Sequence, residues 1–131
     1  MQKVEIPFQP EFEEAMLLGR KTMTSRTKRY GYEGDYFEAF GRVFVLTAVY
    51  KIPLARVAYH HYSQEGFESP EGFIDIWRKL HRRVGYNPDR IVFCHEFKNQ
   101  RELAFFHIHR IDHEGYCEEC HLPVTQQTEE E

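Results

Sequence analysis

The sequence predicts an α+β fold, in which mostly antiparallel strands curl into a β-barrel and two main helices pack against its outside. The chain has 131 residues, which suggests a single domain. Residues 43–50 alternate in strand-like fashion and are apolar on both faces, as expected for a strand buried on two sides in a barrel or sandwich. Two other segments carry helix start and stop signals.

The two helices are predicted from the residues at their ends. Residues 5–21 form one helix, because Pro10 suits a first helical position and Gly19 is a natural stop. The second helix begins after Ser69, a good N-cap that is followed by proline, and ends at Gly85. Its helical spacing predicts a buried apolar stripe of Phe73, Trp77, Leu80 and Val84.

Strands are predicted over residues 22–27, 36–52 and 89–97, where the residues are rich in β-branched and aromatic side chains. The middle segment is two strands or one long bent strand, with Gly41 at a bulge or tight turn. Residues 53–67 are less regular and include a short helix.

The chain divides into a barrel and an extension. Residues 1–98 are assigned to the barrel domain. Residues 99–131 form a C-terminal extension of the same domain, with an added strand or hairpin around 102–111 followed by a polar, partly mobile tail.

Charge and composition narrow the partners and the compartment. The formal net charge of -4 argues against a protein that binds polyanions over its whole surface. Bases nevertheless cluster in residues 20–29 and 78–83, and such a local basic surface can bind phosphate or RNA. Residues 1–14 lack a long apolar run, so neither a signal peptide nor a membrane partner is expected. Three cysteines fit a reducing compartment, and we expect a cytoplasmic protein of unassigned oligomeric state.

Several motifs in order resemble the ASCH family, whose fold is similar to that of the PUA domain. Residues 19–26 read GRKTMTSR and resemble the family signature G-x-K-x-x-T/E-x-R. The later matches are Gly34-Asp35, the EGF of residues 65–67, Trp77 and the strand IVFCHEF at 91–97. The resemblance covers about residues 5–98 and implies a small PUA-like barrel with a cleft bordered by the signature strand.

The resemblance also implies a function. Family members are regarded mainly as RNA-associated, so the basic cleft is expected to bind RNA or a modified nucleoside. One branch, the small bacterial amidohydrolases, removes the acyl group from N4-acetylcytidine with a Lys, a Thr and a Glu, which by motif fall on Lys21, Thr24 and Glu65. A non-catalytic RNA-binding module and a ribonuclease-like activity in the same cleft are the alternatives.

The residues themselves can support amide hydrolysis under one geometric condition. A threonine hydroxyl needs a neighbour to take its proton, and a lysine can do so only if burial or nearby positive charge lowers its pKa. Lys21 and Thr24 would point to opposite faces of a flat strand. We therefore expect Lys21 to lie in the turn after Gly19, where it can reach the face of Thr24 and share a pocket with Glu65.

Further residues are candidates for binding substrate or nucleic acid. Arg26 could hold a phosphate or a base edge bidentately, or instead form a structural salt bridge with Asp35. On the second helix, bases four residues apart could hold an RNA backbone, although a solvated helix face is the common alternative. The candidates are Arg20, Thr22, Arg26, Lys28, Arg29, Arg78 and Arg82.

The C-terminal segment raises the question of a metal. Its potential zinc ligands are His113, Cys117, Cys120 and His121. A structural zinc site usually has two separated ligand pairs, and a second CxxC is missing here, so we assign no metal and no cofactor. Zinc binding by these four residues is the weaker hypothesis, under which the chain would be a zinc-dependent interaction protein.

Overall fold

The computed structural model describes residues 1–101, so the predicted strand at 102–111 and the four potential zinc ligands lie outside the described residues. None of the helices in residues 1–101 has the length and apolar character that a membrane crossing requires. The elements in chain order are a 3-10 helix Pro10–Phe12, α1 Glu13–Leu17, β1 Met23–Arg26, β2 Tyr36–Ala39, β3 Arg42–Pro53, α2 Leu54–His60, α3 Pro70–Leu80 and β4 Ile91–Asn99.

The four strands form one antiparallel sheet in the order β1-β4-β3-β2. β3 pairs with β4 along most of its length, and their register shifts between Leu46 and Ala48. Such an irregularity bends a strand and increases its twist. The sheet curls into a half-barrel flanked by helices, which confirms the predicted α+β, PUA-like class.

The predicted segment 36–52 contains two strands joined by a tight turn. Phe40 and Gly41 occupy the turn, and both have positive φ angles, of 54° and 76°. A two-residue hairpin turn with positive φ at both central residues has a twist that matches its flanking strands. This turn settles the open choice between two strands and one bent strand.

Helix α3 begins as predicted and ends earlier. Ser69 Oγ accepts a hydrogen bond from the amide three residues on, at 3.1 Å, which caps the first turn. The helix stops at Leu80 because His81 leaves the helical conformation and stacks its ring on Trp77, with centroids 4.0 Å apart. Leu80 and Val84 are 50% and 63% exposed, so their predicted place in the buried stripe is wrong.

The N-terminal helix is shorter than predicted, whereas the short helix predicted within residues 53–67 is present. The helix predicted over residues 5–21 is reduced to the 3-10 turn Pro10–Phe12 and α1, which ends at Leu17. Gly19, with a φ of 80°, lies just beyond that end. The predicted short helix is α2, which occupies the first part of residues 53–67. It is held by burial of Leu54, Val57 and Ala58.

The core consists of two clusters on opposite faces of the sheet. The first packs α2 and α3 against β1 and β4 and includes Met23, Leu54, Val57, Phe73, Trp77 and Cys94. The second packs the N-terminal segment and β2 against β3 and β4 and includes Ile6, Met16, Phe37, Phe44 and Phe97. Because β1 is an edge strand of the described sheet, side chains from both of its faces reach the space beside it.

Candidate functional site

A cavity of about 300 Å³ opens beside β1. Its aromatic walls are formed by Phe8, Phe12, Tyr30, Phe67, Phe73 and Trp77. Five of its polar side chains come from β1, the turn before β1 and the loop before α3, and are Lys21, Thr24, Ser25, Arg26 and Glu65. The other polar lining residues are Gln9, Thr27 and His81. Apolar walls with a few convergent polar groups are typical of a small-molecule site.

The turn after Gly19 brings Lys21 into this cavity. Gly19 has a φ of 80°, and the amides of Arg20 and Lys21 both donate to the carbonyl oxygen of Ala15, at 2.8 and 3.0 Å. The next two amides donate to the carbonyl oxygen of Gln64. The chain is therefore tied to α1 on one side and to the loop before α3 on the other, which fixes the lysine between them.

Lys21 and Glu65 form a buried ion pair. Lys21 Nζ lies 3.1 Å from Glu65 Oε1, and the two side chains are only 3% and 4% exposed. The ammonium also donates to the carbonyl oxygens of Met23 and Glu65, at 2.9 and 3.0 Å, so each of its three protons has an acceptor. Burial lowers the pKa of Lys21, while the neighbouring carboxylate opposes that shift.

Gly66, which has a positive φ angle, follows Glu65 in the loop that places its carboxylate against Lys21. Glu65 N donates to the carbonyl oxygen of His61 at 3.1 Å, and the following Gly66 has a φ of 98°. A Cβ atom on Gly66 would lie 3.1 Å from Lys21 Cβ, closer than side chains normally approach. The EGF stretch therefore needs its glycine both for the backbone conformation and for the room that Lys21 occupies.

Ser25 is a buried site residue that the sequence prediction missed. Its Oγ donates to Glu65 Oε2 at 2.6 Å and lies 3.5 Å from Cys94 Sγ. Burial raises the pKa of the Cys94 thiol to about 12, so the sulfur stays protonated at neutral pH. The sequence signal that could have found Ser25 is strand periodicity. Lys21 lies four residues before Ser25, an even spacing that puts both side chains on the same face of an extended chain.

Thr24 lies on the other face of β1 with Arg26. Arg26 Nε donates to Thr24 Oγ1 at 3.0 Å, and Arg26 Nη2 donates to the carbonyl oxygen of Pro7 at 2.6 Å. The Arg26 guanidinium also lies 5.0 Å from the centroid of the Phe8 ring. The alternative salt bridge to Asp35 is wrong, because these groups hold Arg26 instead.

The polar residues thus form two hydrogen-bonded groups on the cavity wall. Lys21, Ser25 and Glu65 form one, and Thr24 and Arg26 form the other. Lys21 and Thr24 share the cavity as expected, yet within residues 1–101 the ammonium has no hydrogen bond to the threonine hydroxyl. The turn after Gly19 directs the lysine to Glu65, and the strand alternation keeps Thr24 on the opposite side.

Comparison with solved structures identifies this architecture. An ASCH domain from Lactobacillus crispatus JV V101 is 13% identical in sequence and has a TM-score of 0.55, covering 75% of this chain and 79% of that chain. The chain has the fold of an ASCH domain. This similarity confirms the predicted resemblance at the level of the fold.

Two further solved structures share the ASCH fold of this chain. Protein EF3133 from Enterococcus faecalis V583, described by the family model DUF984, is 18% identical with a TM-score of 0.51, covering 68% of this chain and 69% of that chain. Hypothetical protein PH0355 is 18% identical with a TM-score of 0.56, covering 76% of this chain and 99% of that chain. No family model and no curated protein matches the sequence.

The remaining predicted binding residues lie outside the cavity of this ASCH fold. Arg20 is exposed in an ion pair with Glu14, 3.5 Å apart, and Thr22 is half-buried just before β1. Arg78 and Arg82 are exposed, and because α3 ends at Leu80, the two arginines do not form the predicted helical pair.

Lys28 and Arg29 lie close to aromatic rings. Lys28 Nζ is 5.1 Å from the ring centroid of Tyr30, a residue that also lines the cavity. The Arg29 guanidinium is 4.5 Å from the ring of Tyr32 and 5.4 Å from that of Phe93. Cation–π contacts of this kind hold Lys28 against a ring of the cavity lining and Arg29 against rings outside it.

His95 is a buried scaffold for this site that the sequence prediction did not single out. Its Nε2 accepts from the Tyr30 amide at 3.0 Å, so its Nδ1 carries the proton and donates to the carbonyl oxygen of Thr24 at 3.3 Å. Burial lowers the pKa of His95, which keeps it neutral. The ring thereby joins β1 to the loop that carries the cavity-lining tyrosine.

The described part of the chain contains no group of three or more His, Cys, Asp or Glu side chains arranged to bind a metal ion. The four weak zinc candidates, His113, Cys117, Cys120 and His121, belong to the segment outside that part. Nothing in the described residues tests the assignment of no metal or the weaker hypothesis of zinc binding.

Proposed function

We propose that this ASCH-fold protein binds a nucleoside, free or within RNA, in the cavity beside β1 and hydrolyses an N4-acylated cytidine. The observation that carries the proposal is the buried Lys21–Glu65 pair, whose Nζ and Oε1 atoms are 3.1 Å apart on the wall of an aromatic cavity. A charged pair is costly to bury, and such pairs cluster at functional sites.

The cavity suits a flat polar ring. Its volume of about 300 Å³ lies at the lower end of the range for small-molecule sites. Aromatic side chains on its walls, among them Phe12 and Tyr30, offer faces on which a base can stack. The polar groups on the β1 side offer donors and an acceptor for the edge of the base.

The same groups supply what amide hydrolysis needs. The reaction requires a nucleophile, a base that takes its proton, and positive charge or donors for the developing oxyanion. Glu65 provides a carboxylate, Thr24 and Ser25 provide hydroxyls, and Arg26 provides a guanidinium on the cavity wall. Lys21 donates all three of its protons, so in this state it acts as a cation that orients Glu65 and not as a base.

The test is turnover of N4-acetylcytidine by the full chain. Release of cytidine is followed by chromatography for the wild type, for Lys21→Ala and for a matched control, Lys98→Ala, whose side chain is exposed and away from the cavity. We expect turnover by the wild type and the control and its loss in Lys21→Ala. Absence of turnover, or turnover that survives Lys21→Ala in a folded protein, would refute the enzyme proposal.

A non-catalytic RNA-binding module is the second candidate, favoured by pairs of basic and aromatic side chains. Arg29 and Lys51 both approach the ring of Phe93, at 5.4 and 5.9 Å, and Lys28 approaches Tyr30, which lines the cavity. Such cations could follow a single-stranded backbone while a base enters the cavity.

Salt dependence tests this candidate. We expect the affinity for a single-stranded RNA to fall steeply with salt, and Arg29→Ala to lower the slope by about 0.7, the value for one phosphate contact on a single strand. Arg56→Ala, an exposed arginine on α2, is the matched control. A response to salt that is flat would argue against a phosphate-tracking surface.

A further inference from the structure

Two consecutive hydroxyls border the cavity, and their hydrogen-bond partners differ in kind. Ser25 Oγ donates to a carboxylate oxygen, Glu65 Oε2, at 2.6 Å. Thr24 Oγ1 instead accepts from the guanidinium of Arg26, at 3.0 Å. A guanidinium cannot accept a proton, whereas a carboxylate can, so of these two hydroxyls the serine is the one with a base beside it.

We propose that Ser25 is the nucleophile of this site, with Glu65 as its general base and Lys21 as the group that orients the base. The assignment deepens the proposed function and rests on it, and it replaces Thr24, the residue implied by family resemblance. The three side chains form an uninterrupted hydrogen-bonded series, from Ser25 Oγ to Glu65 Oε2 and from Glu65 Oε1 to Lys21 Nζ. A nucleophile, a base and a third group that orients the base are the parts of a hydrolytic triad.

The first half of the reaction transfers the acyl group to the enzyme. Ser25 Oγ attacks the carbonyl carbon of the N4-acyl group, and its proton passes to Glu65 Oε2. Glu65 then gives that proton to N4 as the carbon–nitrogen bond breaks, which releases cytidine and leaves an ester on Ser25.

The second half restores the enzyme. A water molecule attacks the ester carbonyl while Glu65 takes one of its protons. The carbon–oxygen bond to Ser25 breaks, Glu65 returns the proton to the serine oxygen, and the carboxylic acid leaves. The sum is acylcytidine plus water giving cytidine plus a carboxylic acid, with no oxidant or further reactant.

The surrounding groups have matching roles. Glu65 Oε1 is held by Lys21, so Oε2 is the oxygen that is free to exchange a proton with Ser25. Arg26 uses Nε and Nη2 on Thr24 and Pro7, which holds its guanidinium on the cavity wall. In this arrangement Thr24 is a positioning residue that holds the guanidinium.

Covalent labelling separates a nucleophilic Ser25 from one that only anchors Glu65. The full chain is treated with phenylmethanesulfonyl fluoride. An activated hydroxyl attacks the sulfur of this reagent, displaces fluoride and keeps the sulfonyl group as a covalent label. Trypsin cuts after Lys21 and Arg26, so the peptide of residues 22–26 carries both hydroxyls, and fragmentation mass spectrometry assigns the label. We expect the label on Ser25, its loss in Glu65→Gln, and its retention in the control Lys98→Ala, whose side chain lies outside the cavity.

Kinetics provides the second measurement. Loss of a nucleophile lowers kcat by orders of magnitude, so the kcat of Ser25→Ala is expected to fall roughly 10³-fold or more. In a separate experiment, wild-type protein is treated with N4-acetylcytidine and quenched with acid, and we expect it to carry an acetyl group on Ser25. A label on Thr24, or no label on Ser25 from either reagent, overturns the assignment, and the wild-type labelling needs no variant to fold.

The outcomes for Ser25 and for the proposed substrate are distinguishable. Sulfonylated Ser25 without turnover of N4-acetylcytidine supports the nucleophile and refutes the substrate. Turnover with an unlabelled Ser25, or with Ser25→Ala within tenfold of wild type, supports the substrate and refutes the nucleophile.

Discussion

Removing one partner of the Lys21–Glu65 pair should destabilise the domain strongly. The change is Lys21→Met, which keeps a long flexible side chain and removes the charge. Glu65 would remain as a carboxylate whose side chain is only 4% exposed, with Ser25 as its hydrogen-bond donor from a side chain. The carbonyl oxygens of Met23 and Glu65 would also lose the donor that bonds to them at 2.9 and 3.0 Å.

The expected loss is about 3–5 kcal/mol in the free energy of unfolding, the usual cost of breaking a buried ion pair. Urea unfolding at neutral pH, followed by circular dichroism, measures it. With a slope of about 1–3 kcal/mol per molar, typical of small domains, the midpoint should fall by at least about 1 M. Arg20→Ala is the matched control, since its ion pair with Glu14 is exposed and should contribute about 1 kcal/mol or less.

A double variant identifies the cause of that loss. In Lys21→Met/Glu65→Leu no charge is left buried, and such replacements of both partners are often neutral. We therefore expect the double variant to be more stable than Lys21→Met alone. A loss below about 1 kcal/mol in Lys21→Met, or a double variant less stable than the single one, would refute the reasoning from buried charge.

Three further predictions concern the scaffold. Ser69→Ala should cost about 1 kcal/mol of stability in urea unfolding, since Ser69 Oγ caps α3, and an unchanged midpoint would contradict the cap. The pKa of His95 is lowered by burial, so below about pH 6.5 the unfolded chain binds more protons and the stability conferred by neutral His95 declines. The difference in unfolding free energy between wild type and His95→Gln should therefore shrink from pH 7 to pH 5. A constant difference would be inconsistent with a buried neutral ring. The pKa of Cys94 is raised from 9.0 to about 12, so the contribution of its thiol to stability is complete below pH 9 and declines towards pH 12. Iodoacetamide at pH 8 should label Cys94 in urea and spare it in the native protein. Labelling of the native protein would rule out a buried thiol.

Local signals in the sequence predicted the elements well and their ends less well. Ser69 and Gly41 act through their own backbone geometry, so a cap and a turn can be recognised from a few residues. The bounds of α2 depend on the burial of Leu54, Val57 and Ala58, which is a tertiary effect that leaves no local pattern. The early end of α3 accompanies a contact between residues four apart, His81 and Trp77, which the helix signals at Ser69 and Gly85 do not show.

The candidate site shows the same division. The resemblance directed attention to Lys21 and Glu65, and the structure pairs them. Ser25 was missed because the signature leaves its position unspecified and its partner, Glu65, lies 40 residues away in the chain. The turn after Gly19 was expected to bring Lys21 round to the face of Thr24. In the structure it directs Lys21 to Glu65, on the side of Ser25, while strand alternation keeps Thr24 on the opposite face.

Gly66 links the motif to the site and can be tested against a matched glycine. Gly66 and Gly34 have similar φ angles, 98° and 93°, so alanine at either position introduces similar backbone strain of about 1–3 kcal/mol. They differ in surroundings, because a Cβ on Gly66 would lie 3.1 Å from Lys21 Cβ, whereas a Cβ on Gly34 would have nothing within 4 Å. We therefore expect urea unfolding to show a larger loss for Gly66→Ala than for Gly34→Ala, and turnover of N4-acetylcytidine to fall in Gly66→Ala alone. Equal losses of stability and activity in the two variants would mean that the glycine serves only the turn and does not make room for Lys21.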